Sequence, residues 1–321
     1  MKFHRLALAL LVLLVGAAWL DAQPKPPADR KPTLAEARRG FKTKLLKQKA
    51  EREALDKPPA DLFRTVRYDS PAGKLAAYVS RPPLEGKKRP AIVWLFGGFS
   101  NGIGATAWSK QSPDNDQSAS AFRKAGLVMM YPSLRGGNDN PGSKEGFFGE
   151  VDDVRAAADY LAKQDFVDPK RIYLGGHSTG GTLALLAAEC TDRFRAVFSF
   201  GPIDDVSFYG LDKLPFDDGD RRELELRAPV RWLRSVRSPV FVFEGTERPG
   251  NLDSLDQLAR ESRNPLVHCY AVKGANHFNI LTPVTRLVAR KAAADDSARV
   301  NIQFTDKELN DAFAKRNAPK K

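Results

Sequence analysis

Cysteine is scarce in this chain of 321 residues, which contains only Cys190 and Cys269. Each lies in an apolar segment that is typical of a protein core. We therefore expect two buried free thiols, although export from the cell would permit a disulfide. The apolar run Leu6–Leu20 is also short, because its 15 residues fall below the roughly 20 that a membrane-spanning helix needs.

A basic start, this short apolar run and small residues at Ala17, Ala18 and Ala22 are typical of a secretory signal peptide. Residues 1–22 are therefore assigned to a signal peptide, with cleavage after Ala18 or Ala22, and are left out of the fold prediction. The sequence predicts a secreted or periplasmic protein. An uncleaved membrane anchor is the alternative.

The net charge of +12 is concentrated at the two ends of the chain. Residues 23–57 carry eleven Lys and Arg against five Asp and Glu, and residues 312–321 add four basic residues. The middle is nearly neutral, which argues against nucleic acid as a partner. Solvation of the ends explains the charge, and weak contact with an anionic membrane surface is the alternative.

Residues 23–58 combine a Pro-rich linker with a predicted basic amphipathic helix. Thr33 and Glu36 have the spacing of a capping box, and apolar residues at helical spacing extend the predicted helix to about Leu55. We expect its apolar stripe to pack on the main domain, with a membrane surface as the alternative. The main domain is predicted at 59–293, and 294–321 form a C-terminal extension with a basic tail.

Within the main domain, two β-rich runs flank a turn and predict an N-terminal hairpin of Phe63–Tyr68 and Leu75–Ser80. Apolar runs that predict buried strands then alternate with helical patterns, which indicates an α/β fold with a mostly parallel twisted sheet and helices on both faces. The predicted strands are Pro90–Phe96, Leu127–Tyr131, Arg171–Leu174, Ala196–Phe200, Pro239–Phe243 and Leu266–Val272. The predicted helices are Ser118–Ala125, Glu150–Lys163, Thr182–Glu189, Leu252–Ser262 and Leu281–Ala293.

The run from Ile172 to Ala188 predicts a strand, a glycine-walled turn and a small-residue helix. Gly176, Ser178 and Gly180 lie at the turn in the pattern of a nucleophile elbow, which holds a serine on a sharp turn between strand and helix. Glycines at 175 and 181 extend the pattern. Ser178 is therefore the predicted nucleophile.

A serine hydroxyl needs a base to take its proton, and the chain has only four histidines. His4 lies in the predicted signal peptide, His177 adjoins Ser178 within the elbow, and His268 lies inside an apolar strand pattern. His277 lies in a turn between the last predicted strand and the last long helix. The order of nucleophile and then histidine favours His277 as the base.

A carboxylate should orient that histidine, and the loop after the strand Pro239–Phe243 is its expected place. The sequence favours Glu247; Asp253, Asp204, Asp205 and Glu244 remain as alternatives in that order. The oxyanion hole should use the backbone N–H of Thr179 and a second donor from the glycine turn after Pro90–Phe96, where Gly98 or Phe99 is the candidate.

Together these segments resemble an α/β-hydrolase, and more narrowly the catalytic domain of prolyl oligopeptidase-like serine hydrolases. The segments that carry the resemblance are Tyr131–Gly137, Glu150–Ile172, the elbow and Gly274–His277. Phe96 stands where members often have histidine. Arg248 stands where the acid is usual, with Glu247 one place earlier.

The resemblance implies a serine hydrolase that cleaves a small ester or peptide and needs no metal ion or organic cofactor. Members with a β-propeller gate their site with it. Residues 23–60 are too short for one, so we expect the loops 101–115, 138–148 and 208–229 to control access. The alternatives are a binding module of the cell envelope that has lost activity and an acyltransferase. The sequence does not predict the oligomeric state.

Overall fold

The computed structural model describes residues 31–47, 51–81 and 86–315. The predicted signal peptide and the last residues of the basic tail lie outside these ranges. From Thr33 onward the described chain forms one compact unit. Within the described residues, no helix has both the length and the apolar character needed to cross a membrane.

One eight-stranded sheet organises the chain, in the order β1-β2-β4-β3-β5-β6-β7-β8. The strands β1 and β2 form the predicted hairpin, β2 pairs antiparallel with β4, and the remaining neighbours pair in parallel. The strands are Phe63–Ser70 (β1), Gly73–Ser80 (β2), Arg89–Leu95 (β3), Val128–Pro132 (β4), Val167–His177 (β5), Val197–Phe200 (β6), Val240–Glu247 (β7) and Val267–Asn276 (β8). The predicted α/β-hydrolase fold is therefore confirmed.

Helices cover both faces of the sheet, and a separate apolar core lies under each set. Side chains of α1, α3, α4 and α6 belong to one core, and those of α2, α7 and α8 belong to the other. The helices are Leu34–Ala37 (α1), Ala121–Lys124 (α2), Glu150–Ala162 (α3), Thr179–Cys190 (α4), Arg221–Glu225 (α5), Leu252–Glu261 (α6), Leu281–Ala294 (α7) and Asp306–Ala314 (α8). Because parallel strands end at one edge, β5, β6, β7 and β8 bring their carboxyl ends together there.

The prediction of a helix from Leu34 to about Leu55 is wrong. The capping box of Thr33 and Glu36 is present, but α1 lasts one turn, and Gly40 then takes a left-handed φ of 75°, a conformation that does not continue a right-handed helix. Leu34 is buried in the core, and Leu45 forms a bridge with Phe216. The apolar residues therefore pack on the main domain, as expected.

The C-terminal extension contains a helix that the sequence analysis did not predict. Thr305 caps α8 by accepting a hydrogen bond from the backbone N–H of Glu308, and Leu309 and Phe313 are buried against the sheet. The cysteines Cys190 and Cys269 are free and partly buried, and burial raises the pKa of both thiols to about 12.

Candidate active site

Ser178 lies on the sharp turn between β5 and α4. Its backbone has φ 56° and ψ −119°, a left-handed φ that is uncommon for a residue with a side chain. Its N–H donates to the Phe200 carbonyl at 2.8 Å, which fixes the turn against the end of β6. A strained serine at this place in the fold has the geometry of the predicted nucleophile elbow.

The glycines of the elbow are required by close backbone packing. A Cβ atom at Gly176 would lie 2.3 Å from the Gly180 carbonyl oxygen, and one at Gly180 would lie 2.5 Å from the Leu95 carbonyl oxygen. Carbon and oxygen atoms cannot approach so closely without contact strain. The tight turn thus depends on glycine at both positions, as the sequence pattern indicated.

His277 follows the end of β8 and contacts a carboxylate at the end of β7. Its Nδ1 lies 2.8 Å from Oε2 of Glu244, and both side chains are buried. Backbone N–H groups complete the carboxylate's surroundings: Gly245 donates to Oε1 at 2.6 Å and Asn251 donates to Oε2 at 2.9 Å. These hydrogen bonds fix the position of the carboxylate beside His277.

The structure therefore places Glu244, and not the favoured Glu247, beside His277. The predicted strand ended at Phe243, but β7 continues to Glu247 and pairs with β8 there. Glu247 is exposed, and its Oε1 accepts a hydrogen bond from Thr246 Oγ1 at 3.2 Å.

The three Asp alternatives also have other surroundings. Asp253 is exposed in the first turn of α6. Asp204 accepts a hydrogen bond from Ser254, and Asp205 caps a short 3-10 helix through Ser207. Glu244, which ranked last among the candidates, is the one that contacts the histidine.

Gly201 leaves the space that the histidine and carboxylate occupy. A Cβ atom on this residue would lie 2.5 Å from Cε1 of His277 and 2.9 Å from Oε2 of Glu244. Its φ of 58° is also left-handed, a conformation that glycine adopts most readily. Its N–H donates to the Phe243 carbonyl at 2.8 Å, which ties the end of β6 to the end of β7.

A second histidine holds the backbone of His277. His177 is fully buried, and its Nε2 lies 2.8 Å from the His277 carbonyl oxygen. A carbonyl only accepts, so Nε2 carries the proton and donates, and Nδ1 accepts from Gln117 Nε2 at 2.8 Å. Burial, and secondly the nearby His277, lower the pKa of His177 to about 3, which keeps this ring neutral near pH 7.

Gln117 extends these contacts to the glycine turn after β3. Its Oε1 accepts a hydrogen bond from the Gly97 N–H at 3.3 Å. A continuous series of hydrogen bonds thus joins the turn at Gly97 to Gln117, His177 and the backbone of His277. We name it the Gln117–His177 relay.

The predicted oxyanion donors lie on facing segments. Thr179 is the first residue of α4, and the first N–H groups of a helix have no partner within the helix. The Thr179 hydroxyl donates to the Gly98 carbonyl, which holds the glycine turn against the elbow. Gly98 has φ 103°, and Phe99 is partly exposed at the rim.

A cavity opens beside these donors. Gly98, Phe99 and Thr179 line one side, and parts of the loops 101–115 and 138–148 line the other. The third expected access segment, 208–229, reaches the rim through Tyr209, whose ring contacts Phe99 and stacks on Phe147. The cavity and the elbow thus form one candidate active site.

Comparison with known proteins identifies the family of this chain. Residues 113–228 match the prolyl oligopeptidase family. Over 289 residues the chain is 31% identical to the "Putative esterase NocK" of Nocardia uniformis, a match that covers 82% of this chain and 79% of that protein. The chain belongs to the prolyl oligopeptidase family.

Solved structures have the same fold. The puromycin-hydrolyzing peptidase of Mycobacterium tuberculosis is similar with a TM-score of 0.60 at 21% identity, over 77% of this chain and 41% of that one. An esterase of Pyrobaculum calidifontis is similar with a TM-score of 0.54 at 16% identity, over 74% of this chain and 86% of that one.

The chain spans only part of some family members. The match to the "Uncharacterized peptidase YuxL" of Bacillus subtilis has 28% identity and covers 37% of this chain but 21% of that protein.

Three residues of this site had no role predicted from the sequence. Gly201 directly follows a predicted strand, which is a signal for a close approach at the sheet edge. Gln117 and His177 have no comparable signal, because their contacts depend on how distant loops meet. Glu244 could have been favoured, since the last residue of a buried parallel strand also lies at the edge where sites form.

Proposed function

We propose that this protein is a serine hydrolase that cleaves an ester or peptide bond of a small substrate through an acyl-enzyme on Ser178. The observation that carries the proposal is the 2.8 Å contact of buried Glu244 with His277 Nδ1, at the sheet edge where Ser178 lies in its elbow. Family membership supports the same chemistry.

In this mechanism Glu244 accepts the Nδ1–H of His277, so that the lone pair lies on Nε2. Nε2 takes the proton of Ser178 while Oγ forms a bond with the acyl carbon. The carbonyl oxygen becomes an oxyanion, which the N–H of Thr179 and that of Gly98 or Phe99 stabilise. One such donor lowers the activation barrier by about 3 kcal/mol.

The protonated His277 then gives its proton to the leaving alcohol or amine as the bond to the acyl carbon breaks. A water molecule repeats the steps: His277 takes its proton, the hydroxide adds to the acyl carbon, and Ser178 Oγ leaves with that proton. Glu244 stays ionised and stabilises the imidazolium at each stage.

A labelled fluorophosphonate probe tests the core of the proposal. Wild-type protein should become labelled on Ser178 and lose esterase activity, and Ser178→Ala should not be labelled. Ser207→Ala is a matched control, because the Ser207 hydroxyl donates a hydrogen bond to Asp205 in a short 3-10 helix and has no role in the proposed mechanism. Folded wild-type protein that neither labels nor hydrolyses esters would favour the inactive binding module.

We also propose that the protein is exported, on the strength of the basic start and short apolar run of residues 1–22. Expression of the full chain in a bacterial host, followed by N-terminal sequencing of the exported protein, tests this. A new N-terminus at Trp19 or Gln23 is expected. An intact N-terminus in the membrane fraction would instead indicate an uncleaved anchor.

A further inference from the structure

The cavity beside the elbow has mostly apolar walls and one buried acid. Its apolar lining includes Leu95, Phe96, Ile103, Leu134, Phe147 and Leu183, and its charged lining consists of Lys144 and Glu150. Lys144 is at the rim, where its ammonium group donates to the Phe99 carbonyl and lies 5.5 Å from the Phe99 ring. Glu150 is 2% exposed.

The two oxygens of the Glu150 carboxyl group have unequal surroundings. Oε1 accepts three hydrogen bonds, from the backbone N–H groups of Glu145 at 2.7 Å and Gly146 at 3.2 Å and from Asn101 Nδ2 at 3.1 Å. Oε2 is buried and has no hydrogen-bond partner among the described residues. An unpaired buried polar atom is costly and calls for an explanation.

The Arg135 guanidinium does not bond to this carboxyl group. Arg135 donates through Nε and Nη2 to Asp153 and through Nη1 to Glu145. Arg227 pairs with Glu223 and donates to the carbonyls of Gly146 and Glu145, and the Lys144 ammonium group donates to the Phe99 carbonyl at the rim. None of these three cations bonds to Oε2 of Glu150. Burial raises the pKa of Glu150, and a bound cation would lower the cost of its ionisation.

From this arrangement we infer that Oε2 of Glu150 binds an ammonium group of the substrate, and that the cavity accepts substrates with an alkylammonium arm. The inference rests on the proposed hydrolase function of the same site. The apolar walls would contact the methylene groups of the arm, and the ammonium group would supply the donor that Oε2 lacks.

Protection of Ser178 against a fluorophosphonate probe tests the inference without knowledge of the natural substrate. The labelling rate is measured at pH 8 with increasing n-alkylammonium ions, from propyl to hexyl, and with the matching n-alkanols. For the chain length that reaches Glu150, the ammonium ion should protect about tenfold more tightly than the alcohol, a modest value for a buried charge-assisted hydrogen bond.

Variants of Glu150 separate charge from shape. Glu150→Gln keeps an acceptor for the three donors but removes the charge, so the ammonium preference should fall to about one. Glu150→Asp keeps the charge on a shorter side chain and should retain part of the preference. Glu189→Gln is the matched control, since Glu189 is also buried but does not line this cavity; it should keep the full preference.

The inference is overturned if wild-type protein shows no ammonium preference at any chain length, or if Glu150→Gln retains the preference. These results leave the proposed function intact as long as Ser178 is labelled. Absence of labelling in the folded wild-type protein would instead reject the hydrolase itself. Thermal unfolding of each variant establishes that the comparison is made on folded protein.

Discussion

Two glutamates near the end of β7 differ in what surrounds them, and this difference predicts their effects on activity. Glu244 is buried and contacts His277, whereas Glu247 is exposed. Glu244→Gln removes the charge that stabilises the imidazolium, so kcat on a chromogenic ester should fall by about 10⁴. Glu247→Gln should keep kcat within about twofold, since exposed substitutions have small effects. The reverse order of effects would return the acid role to Glu247.

Gly201 has a steric role that predicts a second loss of activity. Gly201→Ala would place a methyl group 2.5 Å from His277 Cε1, which must displace the ring from Glu244. We expect kcat to fall by about 10² or more, the effect of a displacement of about 1 Å at a reacting group.

Gly40→Ala provides the control for backbone strain. Gly40 also has a left-handed φ, of 75°, but a Cβ atom there would have nothing within 4 Å. This variant should lose about 1 kcal/mol of stability from the αL conformation and keep its kcat. Equal losses of kcat in both variants would contradict the steric explanation.

The Gln117–His177 relay predicts an effect on turnover without an effect on binding. Gln117→Ala removes the donor to His177 Nδ1, so the ring that holds the His277 carbonyl can rotate. We expect kcat to fall about tenfold with KM little changed, because a small displacement of the base affects the transition state most.

A purely structural role for Gln117 would have a different signature. In that case Gln117→Ala would lower the melting temperature and the amount of active protein, while kcat per labelled Ser178 would stay constant. Active-site titration with the fluorophosphonate probe distinguishes the two cases. Gln111→Ala is the control, since the Gln111 side chain donates to the Ser109 carbonyl at an exposed place away from His177.

The short helix α1 attaches the N-terminal arm, the described residues between Thr33 and β1, to the sheet. Leu34 is fully buried, and its N–H donates to Ser235 Oγ at 3.1 Å. Leu34→Ala should therefore lower the free energy of unfolding by about 3 kcal/mol, measured by urea denaturation. Leu46→Ala, at a leucine that is 58% exposed, should change it by less than about 0.5 kcal/mol. Similar small effects would mean that the arm does not contribute to stability.

Strands and long helices were predictable because their sequence patterns are set by local burial. The run that predicted β3 is continuous and apolar, as in a strand covered on both faces, and α3 was predicted to within one residue. The helix to Leu55 failed because its apolar spacing continues past Gly40, where the backbone turns. Propensity and periodicity do not report such a turn.

Helix α8 is the opposite case, because the sequence contains a pattern that indicates this helix. Thr305 and Glu308 have the spacing of a cap, and Leu309 and Phe313 are four residues apart. The prediction of Glu247 as the acid beside His277 was wrong for another reason. The end of β7 depends on its pairing with β8, a contact between distant segments, and the sequence pattern alone set that end four residues too early.

A buried arginine connects two of the loops that surround the cavity. Arg227 is fully buried and pairs with Glu223, and it donates to the carbonyls of Gly146 at 2.7 Å and Glu145 at 3.0 Å. The segment 208–229 thus holds the loop 138–148 in place. Two of the three predicted access loops are in this way parts of one packed unit, and the preorganised wall around Glu150 follows from it.

A buried carboxyl group also makes the stability of the protein depend on pH. Glu189 is 1% exposed, neither of its carboxyl oxygens has a hydrogen-bond partner among the described residues, and burial raises its pKa well above the usual value. The unfolded chain loses this proton at a pH near 4.3, while the folded protein keeps it to higher pH. The free energy of unfolding is therefore not reduced by Glu189 below about pH 4.3, and it falls as the pH rises from there towards the folded pKa of Glu189.

Glu189→Gln removes this titration and predicts a pH-dependent gain. The free energy of unfolding of the variant relative to wild type should increase by about 1.4 kcal/mol per pH unit above pH 5, until the folded pKa is reached. Urea denaturation at pH 5, 6, 7 and 8 measures it. Glu53→Gln, at an exposed position, should show no such trend. A constant difference between Glu189→Gln and wild type across this range would mean that Glu189 is ionised in the folded protein.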